Sequence, residues 1–287
     1  MNRRQLLTTI AALPAVSQLH GQSEPKFRLR SGLVAYSYRK QFEAKTLNYI
    51  DLISRVADWG IDGLDCTVYW FPDTSNEYLA SLRKAAHKNG VQIYNAGVRV
   101  RLAQPTPELQ TAEFENIKKW VDVAERIGAG HVRVFGGQIP KGATEQQAIA
   151  WSVEVLKRGA DYAGSKGIIL GVEDDGGVTI AAEPTLAIVK QTASPWVGVN
   201  ADSGNFRNNG YAQFQMLLPY ATSIHLKTEI TTADGKSEKA DWYRLLTMIG
   251  KSNYKGFVGL EYEGNNADDD VPRFANELRT IVRRLSA

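Results

Sequence analysis

Short runs of apolar and β-branched residues recur along the chain, and each is followed by a longer amphipathic stretch. The runs lie at residues 33–38, 63–69, 92–98, 131–135, 168–173, 197–202, 223–228 and 257–262. One of the stretches between them has a helical stripe formed by Phe114, Ile117, Val121 and Ala124. A second stripe is formed by Phe274, Leu278, Ile281 and Leu285. Strands that alternate with amphipathic helices predict a parallel β-sheet.

Eight strand–helix units follow one another without a linker or a change in composition. This favours one closed (β/α)₈ barrel, residues 23–287, over two domains. The alternative, an open doubly wound sheet, normally has a glycine-rich phosphate loop after its first strand. Residues 36–40 (Tyr-Ser-Tyr-Arg-Lys) contain no glycine. The predicted fold class is therefore α/β, a single TIM barrel.

Residues 1–22 have the pattern of a signal peptide. Adjacent Arg3 and Arg4 precede a short apolar run that ends at Val16, and polar residues follow it. Paired arginines are typical of twin-arginine export signals, so we predict an exported, periplasmic protein. The alternative is an N-terminal helix that packs on the barrel. No apolar stretch reaches the roughly 18 residues that a membrane-spanning helix needs, so the mature form is predicted to have none.

Composition and charge exclude several classes of protein. Of the 287 residues, 43% are hydrophobic and 23% are charged, which is typical of a soluble globular protein. The formal net charge is only +3, and Arg3 and Arg4 contribute two of those positive charges. Such a balance predicts no nucleic-acid partner, because nucleic-acid binding needs a basic face. The single cysteine, Cys66, excludes an internal disulfide and a cysteine-ligated zinc site.

The ends of the last four predicted strands each carry a side chain that can bind a metal. These side chains are Glu173, Asp202, His225 and Glu261. Active groups of a TIM barrel lie at the carboxyl ends of its strands, so we expect the four to converge. Three carboxylates and one imidazole suit Mn²⁺, Mg²⁺ or Fe²⁺, and also allow Co²⁺ or Zn²⁺. A chance occurrence on four consecutive strands is the less favoured explanation, because buried charges need partners or a metal.

The sequence around these residues resembles the xylose isomerase-like barrel superfamily, the sugar phosphate isomerase/epimerase group. The motifs are Glu173 before Asp-Asp-Gly-Gly, Asp202 in Asp-Ser-Gly-Asn, His225 in His-Leu-Lys and Glu261 in Glu-Tyr-Glu-Gly. The resemblance implies that the four residues bind one divalent cation, Mn²⁺ before the others. It also implies that the two glutamates act as acid and base on a small-molecule carbohydrate.

Strands 5 and 8 are three apart around the ring, so Glu173 and Glu261 are expected to approach the metal from separate walls. The metal would polarise a carbonyl and stabilise an enediolate, while one glutamate removes the adjacent proton and the other returns it. Return to the opposite face gives an epimerase, and return to the neighbouring carbon gives an isomerase. Loss of a β-substituent from the same intermediate gives a lyase.

Asn205 departs from the pattern of ketose 3-epimerases, which usually carry a histidine three residues after the metal-binding aspartate. An asparagine can bind a sugar hydroxyl but cannot transfer protons, so a lyase or hydrolase-like enzyme that acts on 3-keto-glycosides is an alternative. Export also argues against a sugar phosphate, because phosphorylated sugars are mostly kept in the cytoplasm. The expected substrate is therefore a free sugar, a keto-sugar or a glycoside.

Two basic residues are further candidates. Lys227 should face into the barrel and can stabilise an enolate oxygen as a catalytic residue, or it can pair with Glu229 or another carboxylate. Arg133 can bind substrate, or it can form an ion pair with Glu173 or Asp175. The residues alone leave both choices open.

Aromatic residues at the ends of the first two predicted strands are candidates for a sugar-stacking wall. They are Tyr36, Tyr38, Tyr69 and Trp70. Aromatic side chains in strands are more often part of the core, but these lie at the active end of the barrel. We select Tyr36 and Trp70, together with Arg133 and Asn205, as substrate-binding residues.

Two other classes of protein are alternatives. A DNA-repair endonuclease of the related abasic-site type needs a multi-zinc cluster with several additional histidines. Only His87, His131 and His225 remain after processing, and His131 is best explained as a core residue. A non-catalytic exported sugar-binding protein is the stronger rival, although it would not need both Glu173 and Glu261. The sequence leaves the oligomeric state open, and a homo-oligomer is among the states it allows.

Overall fold

Eight parallel strands close into a barrel in the computed structural model of the protein, which describes residues 27–286. They are Leu29–Val34 (β1), Gly63–Thr67 (β2), Gln92–Arg101 (β3), His131–Phe135 (β4), Ile169–Glu173 (β5), Val197–Asp202 (β6), Ala221–Lys227 (β7) and Gly256–Glu261 (β10). Between the last two, Glu229–Thr231 (β8) and Ser237–Lys239 (β9) form a separate antiparallel hairpin. The ring order is β1, β10, β7, β6, β5, β4, β3, β2, which confirms the predicted single TIM barrel.

Helices follow the strands and surround the barrel. They are Arg39–Glu43 (α1), Tyr49–Asp58 (α2), Asn76–Lys88 (α3), Pro107–Ile127 (α4), Glu145–Ser165 (α5), Ala182–Thr192 (α6), Gly210–Leu217 (α7), Trp242–Lys251 (α8) and Ala267–Ser286 (α9). Side-chain caps begin several of them, and α5 has a full capping box formed by Thr144 and Gln147. On α4 three members of the predicted apolar stripe, Ile117, Val121 and Ala124, are completely buried, whereas the fourth, Phe114, is only partly buried.

The first two strands end earlier than their sequences predict. Residues 33–38 were expected to be a strand, but β1 stops at Val34 and Ala35–Tyr38 is a 3-10 helix. In the same way Val68–Trp70 forms a 3-10 helix after β2. Both segments are rich in aromatic and β-branched residues, so local propensity favoured a strand; the tertiary contacts at the barrel mouth override it. The aromatic side chains therefore lie beyond the strand ends.

The β8–β9 hairpin was not predicted, because five of its six strand residues are polar and give no hydrophobic alternation. Its turn did carry a signal. Asp234 and Gly235 form the dipeptide typical of tight hairpins, and Gly235 has a φ of +81°. The hairpin stands beside the mouth of the barrel and forms one wall of a groove described below.

Large rings fill the amino-terminal part of the barrel. Tyr94 from β3 stacks on Phe257 from β10, with ring centroids 4.4 Å apart. A β-carbon at Gly259 on β10 would overlap the Tyr94 hydroxyl and a methyl group of Val34, so a larger residue fits at this barrel-lining position only if these groups move. Nearby, the buried His131 ring bonds Asn95 Oδ1 at 2.7 Å and Thr222 Oγ1 at 3.0 Å. The barrel interior is therefore packed below the mouth.

The predicted signal peptide, residues 1–22, lies outside the described residues. Within residues 27–286, none of the helices has both the length and the apolar character that crossing a bilayer requires.

Substitution of Gly171 tests the packing of this floor. A β-carbon at Gly171 would overlap the His131 imidazole, which hydrogen bonds hold on both sides. We expect Gly171→Ala to lower the free energy of unfolding by about 1–3 kcal/mol, measured by urea denaturation. Gly130→Ala is the matched control, because a β-carbon there meets no atom within 4 Å. Equal losses in the two variants would contradict the packing argument.

The pH dependence of stability tests the state of His131. Burial lowers the pKa of His131 to about 3, although the Asp65 carboxylate acts in the opposite direction. Below about pH 6.5 the unfolded chain therefore binds a proton that the folded protein does not. We expect this histidine to lower the free energy of unfolding by up to about 1.4 kcal/mol per pH unit as the pH falls from 6.5 towards 3.

Urea denaturation at a series of pH values measures this slope. His131→Gln should remove the contribution, whereas His87→Gln, on the exposed part of α3, should keep it. The same slope in the wild type and in His131→Gln would show that the histidine is not held neutral.

Candidate metal centre at the carboxyl end of the barrel

The four predicted ligands converge at the mouth of the barrel. Glu173, Asp202 and Glu261 end β5, β6 and β10, and His225 lies two residues before the end of β7. One donor atom from each lies within 4.8 Å of all the others. Nδ1 of His225 is 2.9 Å from Glu173 Oε1, 3.2 Å from Glu261 Oε2 and 3.9 Å from Asp202 Oδ2. All four residues are buried.

Two of these donor atoms indicate that the set fits a cation. Asp202 Oδ2 and His225 Nδ1 are buried and have no hydrogen-bond partner, which is rare for buried polar atoms. The contacts of Nδ1 with the carboxylates are close, but they lack hydrogen-bond geometry. Neighbouring ligands about 2.1 Å from one ion are about 3 Å apart, and the spacing here is similar. These residues therefore fit one divalent cation.

Buried charge supports the same conclusion. Burial disfavours ionisation of Glu261, but the adjacent Lys227 ammonium is the largest influence in the opposite direction, and the pKa of Glu261 lies well below its ordinary value. Burial raises the pKa of Asp202 well above its usual range even though Lys227 lies beside it. Burial and the Asp202 charge likewise raise the pKa of Asp174. The mouth thus holds more carboxylates than its own basic groups neutralise, and a cation would supply the missing positive charge.

Asp65 on β2 orients the histidine. Its Oδ2 lies 2.9 Å from Nε2 of His225, and an ionised carboxylate can only accept a hydrogen bond. Nε2 therefore carries the proton, and the lone pair of Nδ1 faces the three carboxylates. Asn95 donates to the same Oδ2 at 2.6 Å, and its carbonyl oxygen bonds His131. A hydrogen-bonded chain thus joins the barrel floor to the candidate metal centre.

Arg133 and Asn200 hold Glu173. Nε of Arg133 is 3.3 Å from Oε2 of Glu173, and Asn200 Nδ2 donates to Oε1 at 3.0 Å. Arg133 also donates to the Tyr69 hydroxyl and to the carbonyl of Val98. The sequence predicts either substrate binding or an ion pair for Arg133, and the structure shows the ion pair with Glu173. Its direct contact with substrate stays a prediction.

Lys227 lies inside the barrel beside the ligands. Its Nζ is 3.0 Å from Glu261 Oε2, 3.4 Å from Asp202 Oδ2 and 2.6 Å from Glu263 Oε1. The partner that reaches it from a loop is Glu263, not the Glu229 named from the sequence. The ammonium group is thus close enough to act on a substrate held at the centre, and it also balances part of the carboxylate charge.

The predicted aromatic wall is present in part. Tyr36 and Trp70 lie with ring centroids 6.0 Å apart, and Tyr69 is 6.5 Å from Tyr36. Tyr38 is not part of it, because its fully buried ring stacks on Trp59 behind the mouth. Asn205 lies beside Lys227 in a groove that leads away from the centre. Contact of Tyr36, Trp70 and Asn205 with substrate remains a prediction.

Four residues of the site were not predicted to belong to it: Asp65, Asp174, Asn200 and Glu263. The sequence does contain an indication for Asp65. An acidic residue in the middle of the apolar run Gly-Leu-Asp-Cys-Thr is expected to be buried, and a buried carboxylate needs a hydrogen-bonding or charged partner. Asp175 lies close to the centre, where burial and the charge of Glu173 raise its pKa to about 6. Glu263 follows β10 in a loop, and no periodicity identifies it.

Comparison with known proteins gives a consistent result. A model of the xylose isomerase-like TIM barrel family matches residues 53–283, whereas no curated protein sequence matches the chain. Among solved structures, D-psicose 3-epimerase of Clostridium cellulolyticum H10, determined with D-tagatose, is 15% identical with a TM-score of 0.70. That alignment covers 90% of this chain and 98% of the epimerase.

Two further structures are comparably similar. The probable 3-DHS dehydratase AsbF of Bacillus anthracis is 14% identical with a TM-score of 0.68, over 88% of this chain and 98% of its own. A xylose isomerase-like TIM barrel protein of Mycobacterium smegmatis, solved with magnesium, is 16% identical with a TM-score of 0.68. That match covers 83% of this chain and 89% of the other. At these identities the likeness shows the fold alone.

Replacement of Asp65 tests its role towards the cation. We expect Asp65→Asn to weaken Mn²⁺ binding by about 10- to 100-fold, because the neutral amide is a weaker acceptor than the carboxylate and its NH₂ group can also face the ring, so that the tautomer is no longer fixed. Isothermal titration calorimetry measures the affinity. Asp62→Asn is the matched control, since Asp62 accepts hydrogen bonds from Ser31 and makes none to His225. An unchanged affinity in Asp65→Asn would contradict the assignment.

Proposed function

The chain belongs to the xylose isomerase-like TIM barrel family, and from that premise we propose that it is a divalent-metal-dependent sugar isomerase or epimerase. It moves a proton next to a carbonyl, through an enediolate, on a free sugar or keto-sugar. The observation that carries the proposal is the convergence of Glu173 and Glu261, with His225 and Asp202 between them, in one buried centre. We propose Mn²⁺ as the cation, with Mg²⁺, Fe²⁺, Co²⁺ and Zn²⁺ as the other ions that suit the ligands.

The cation, when bound, supplies Lewis acidity that makes a C–H bond beside a carbonyl acidic. Glu173 and Glu261 lie on strands separated by β6 and β7, so they reach a bound sugar from different walls. One carboxylate accepts the proton and the other returns it, which is the arrangement that inversion at carbon requires. In this proposal Glu173 and Glu261 are the acid–base pair.

The residues beside the two glutamates position the carboxylates and stabilise charge on the substrate. Asn200 and Arg133 hold both oxygens of Glu173, so that its orientation is fixed before substrate arrives. Lys227 contacts Glu261 and carries a buried positive charge, which stabilises negative charge that develops on a substrate oxygen. Both glutamates are therefore positioned by basic groups, but only Lys227 lies beside the groove.

A lyase is the second candidate, and Asn205 favours it. Asn205 lines the groove beside Lys227, where an asparagine can bind a hydroxyl but cannot carry a proton to the opposite face. The probable dehydratase among the similar structures has the same fold. We also propose that the protein acts in the periplasm, on the strength of the sequence of residues 1–22. The alternative to both enzymes is a non-catalytic sugar-binding protein.

Proton exchange in D₂O tests the proposed function. We expect the Mn²⁺-loaded protein to place deuterium beside the carbonyl of at least one member of a panel of ketoses, aldoses and 3-keto-glycosides, detected by NMR. Glu173→Gln and Glu261→Gln should each lower the rate by about 10²- to 10⁴-fold, because glutamine cannot transfer a proton. The structure of the labelled product separates epimerase, isomerase and lyase.

Glu238→Gln is the control, because Glu238 is an exposed acid of the hairpin that neither contacts the four ligands nor lines the groove. Absence of exchange with every sugar, in protein shown to bind Mn²⁺, would contradict the proposal and favour the binding protein. Full activity in both glutamine variants would contradict the acid–base assignment.

A further inference from the structure

A groove of about 700 Å³ leads from the candidate metal centre to the surface. It begins at Lys227 and Glu261 and passes between the β8–β9 hairpin and the start of α9. At the outer end lie Lys239 and Arg273, whose side chains are 71% and 61% exposed. The inner pair, in contrast, is less than a tenth exposed. The groove is therefore continuous from the reacting position to solvent.

The size of this groove exceeds the needs of one sugar ring. Volumes of 300–1,000 Å³ are typical of sites for drug-sized ligands, which are larger than a single hexose. Of the four predicted metal ligands only Glu261 lines the groove, so a ring held at the centre occupies no more than its inner end. Space for a second group remains between Asn205, the hairpin and Arg273.

The charges along the groove restrict what the second group can be. Its lining has three basic side chains, Lys227, Lys239 and Arg273, and four acidic ones, Glu229, Glu261, Glu263 and Asp270. Phosphate or carboxylate would therefore meet no excess of positive charge. Tyr262 and Phe274 also line the groove, but both are buried and offer little exposed aromatic surface for a flat apolar group. A neutral, hydroxyl-rich group fits best.

We propose that this groove is a subsite for a second sugar ring, so that the substrate is a disaccharide or another polar glycoside. The inference rests on the proposed function, since the ring at the metal centre must carry the carbonyl. In this arrangement the second ring binds along the hairpin and makes no contact with the reacting atoms. It therefore adds affinity and specificity, and a monosaccharide can still react.

The hairpin supplies a matched pair of variants. Ser237 and Lys239 line the groove, whereas Glu238 between them does not. Alternate residues of a strand point to opposite faces. A large side chain at position 237 would therefore fill the groove, whereas the same side chain at position 238 would point away and leave the groove open. Ser237→Trp is the blocking variant and Glu238→Trp is its control. Thr231→Trp, on the facing strand, is a second blocking variant.

The experiment compares reducing disaccharides, among them cellobiose, maltose and lactose, with glucose and galactose. KM values are measured by deuterium exchange with the Mn²⁺-loaded protein. We expect the best disaccharide to have a KM at least about tenfold below that of its monosaccharide, and Ser237→Trp and Thr231→Trp to remove that advantage. Monosaccharide exchange should stay within about twofold in all three variants, and Glu238→Trp should change neither substrate.

Equal KM values for disaccharides and monosaccharides in the wild type would overturn the subsite and leave the proposed function intact. An advantage for disaccharides that survives both blocking variants would also overturn it. Exchange of monosaccharides without exchange of any disaccharide would overturn the subsite alone. If the wild-type protein exchanges no sugar of this set and none of the ketoses, aldoses and 3-keto-glycosides used to test the proposed function, that function itself is wrong, and the subsite falls with it.

Discussion

The hydrogen bond between Asp65 and His225 is the interaction on which the candidate centre depends. It holds one ring nitrogen in the protonated form and so leaves the other as a free donor among three carboxylates. If the ring adopted the other tautomer, an N–H group would point at the centre and a cation would be repelled. The residue that determines this tautomer, Asp65, lies on β2, on the far side of the barrel from β5 and β6.

This constraint extends to the barrel floor, because Asp65 is itself held in place. Asn95 uses its amide nitrogen for Asp65 and its carbonyl oxygen for His131, so the orientation of the amide is determined by both neighbours. His131 in turn occupies space that glycine at position 171 leaves free. Packing in the lower barrel and the geometry of the ligands are therefore parts of one structure.

The sequence was informative where a pattern is local and uninformative where partners are distant. Periodicity located the barrel strands, although the first prediction overlaps β1 only at Leu33 and Val34. The ends of β5, β6 and β10 carry three of the four predicted ligands. Asp65 lies 160 positions from His225, and no local rule joins them. Glu263 reaches Lys227 from a loop after β10. Arg39 holds the start of this loop by donating a hydrogen bond to the carbonyl oxygen of Tyr262. Such positions are set by tertiary contacts, which periodicity does not encode.

The stacked rings of Tyr94 and Phe257 have a consequence for kinetics. Because they fill the barrel below the centre, a ligand cannot pass through from the opposite end. Under the proposed function, substrate and product would share one entrance, and a product molecule would have to diffuse out before the next substrate binds. Accumulated product should therefore compete with substrate for the same opening of the barrel.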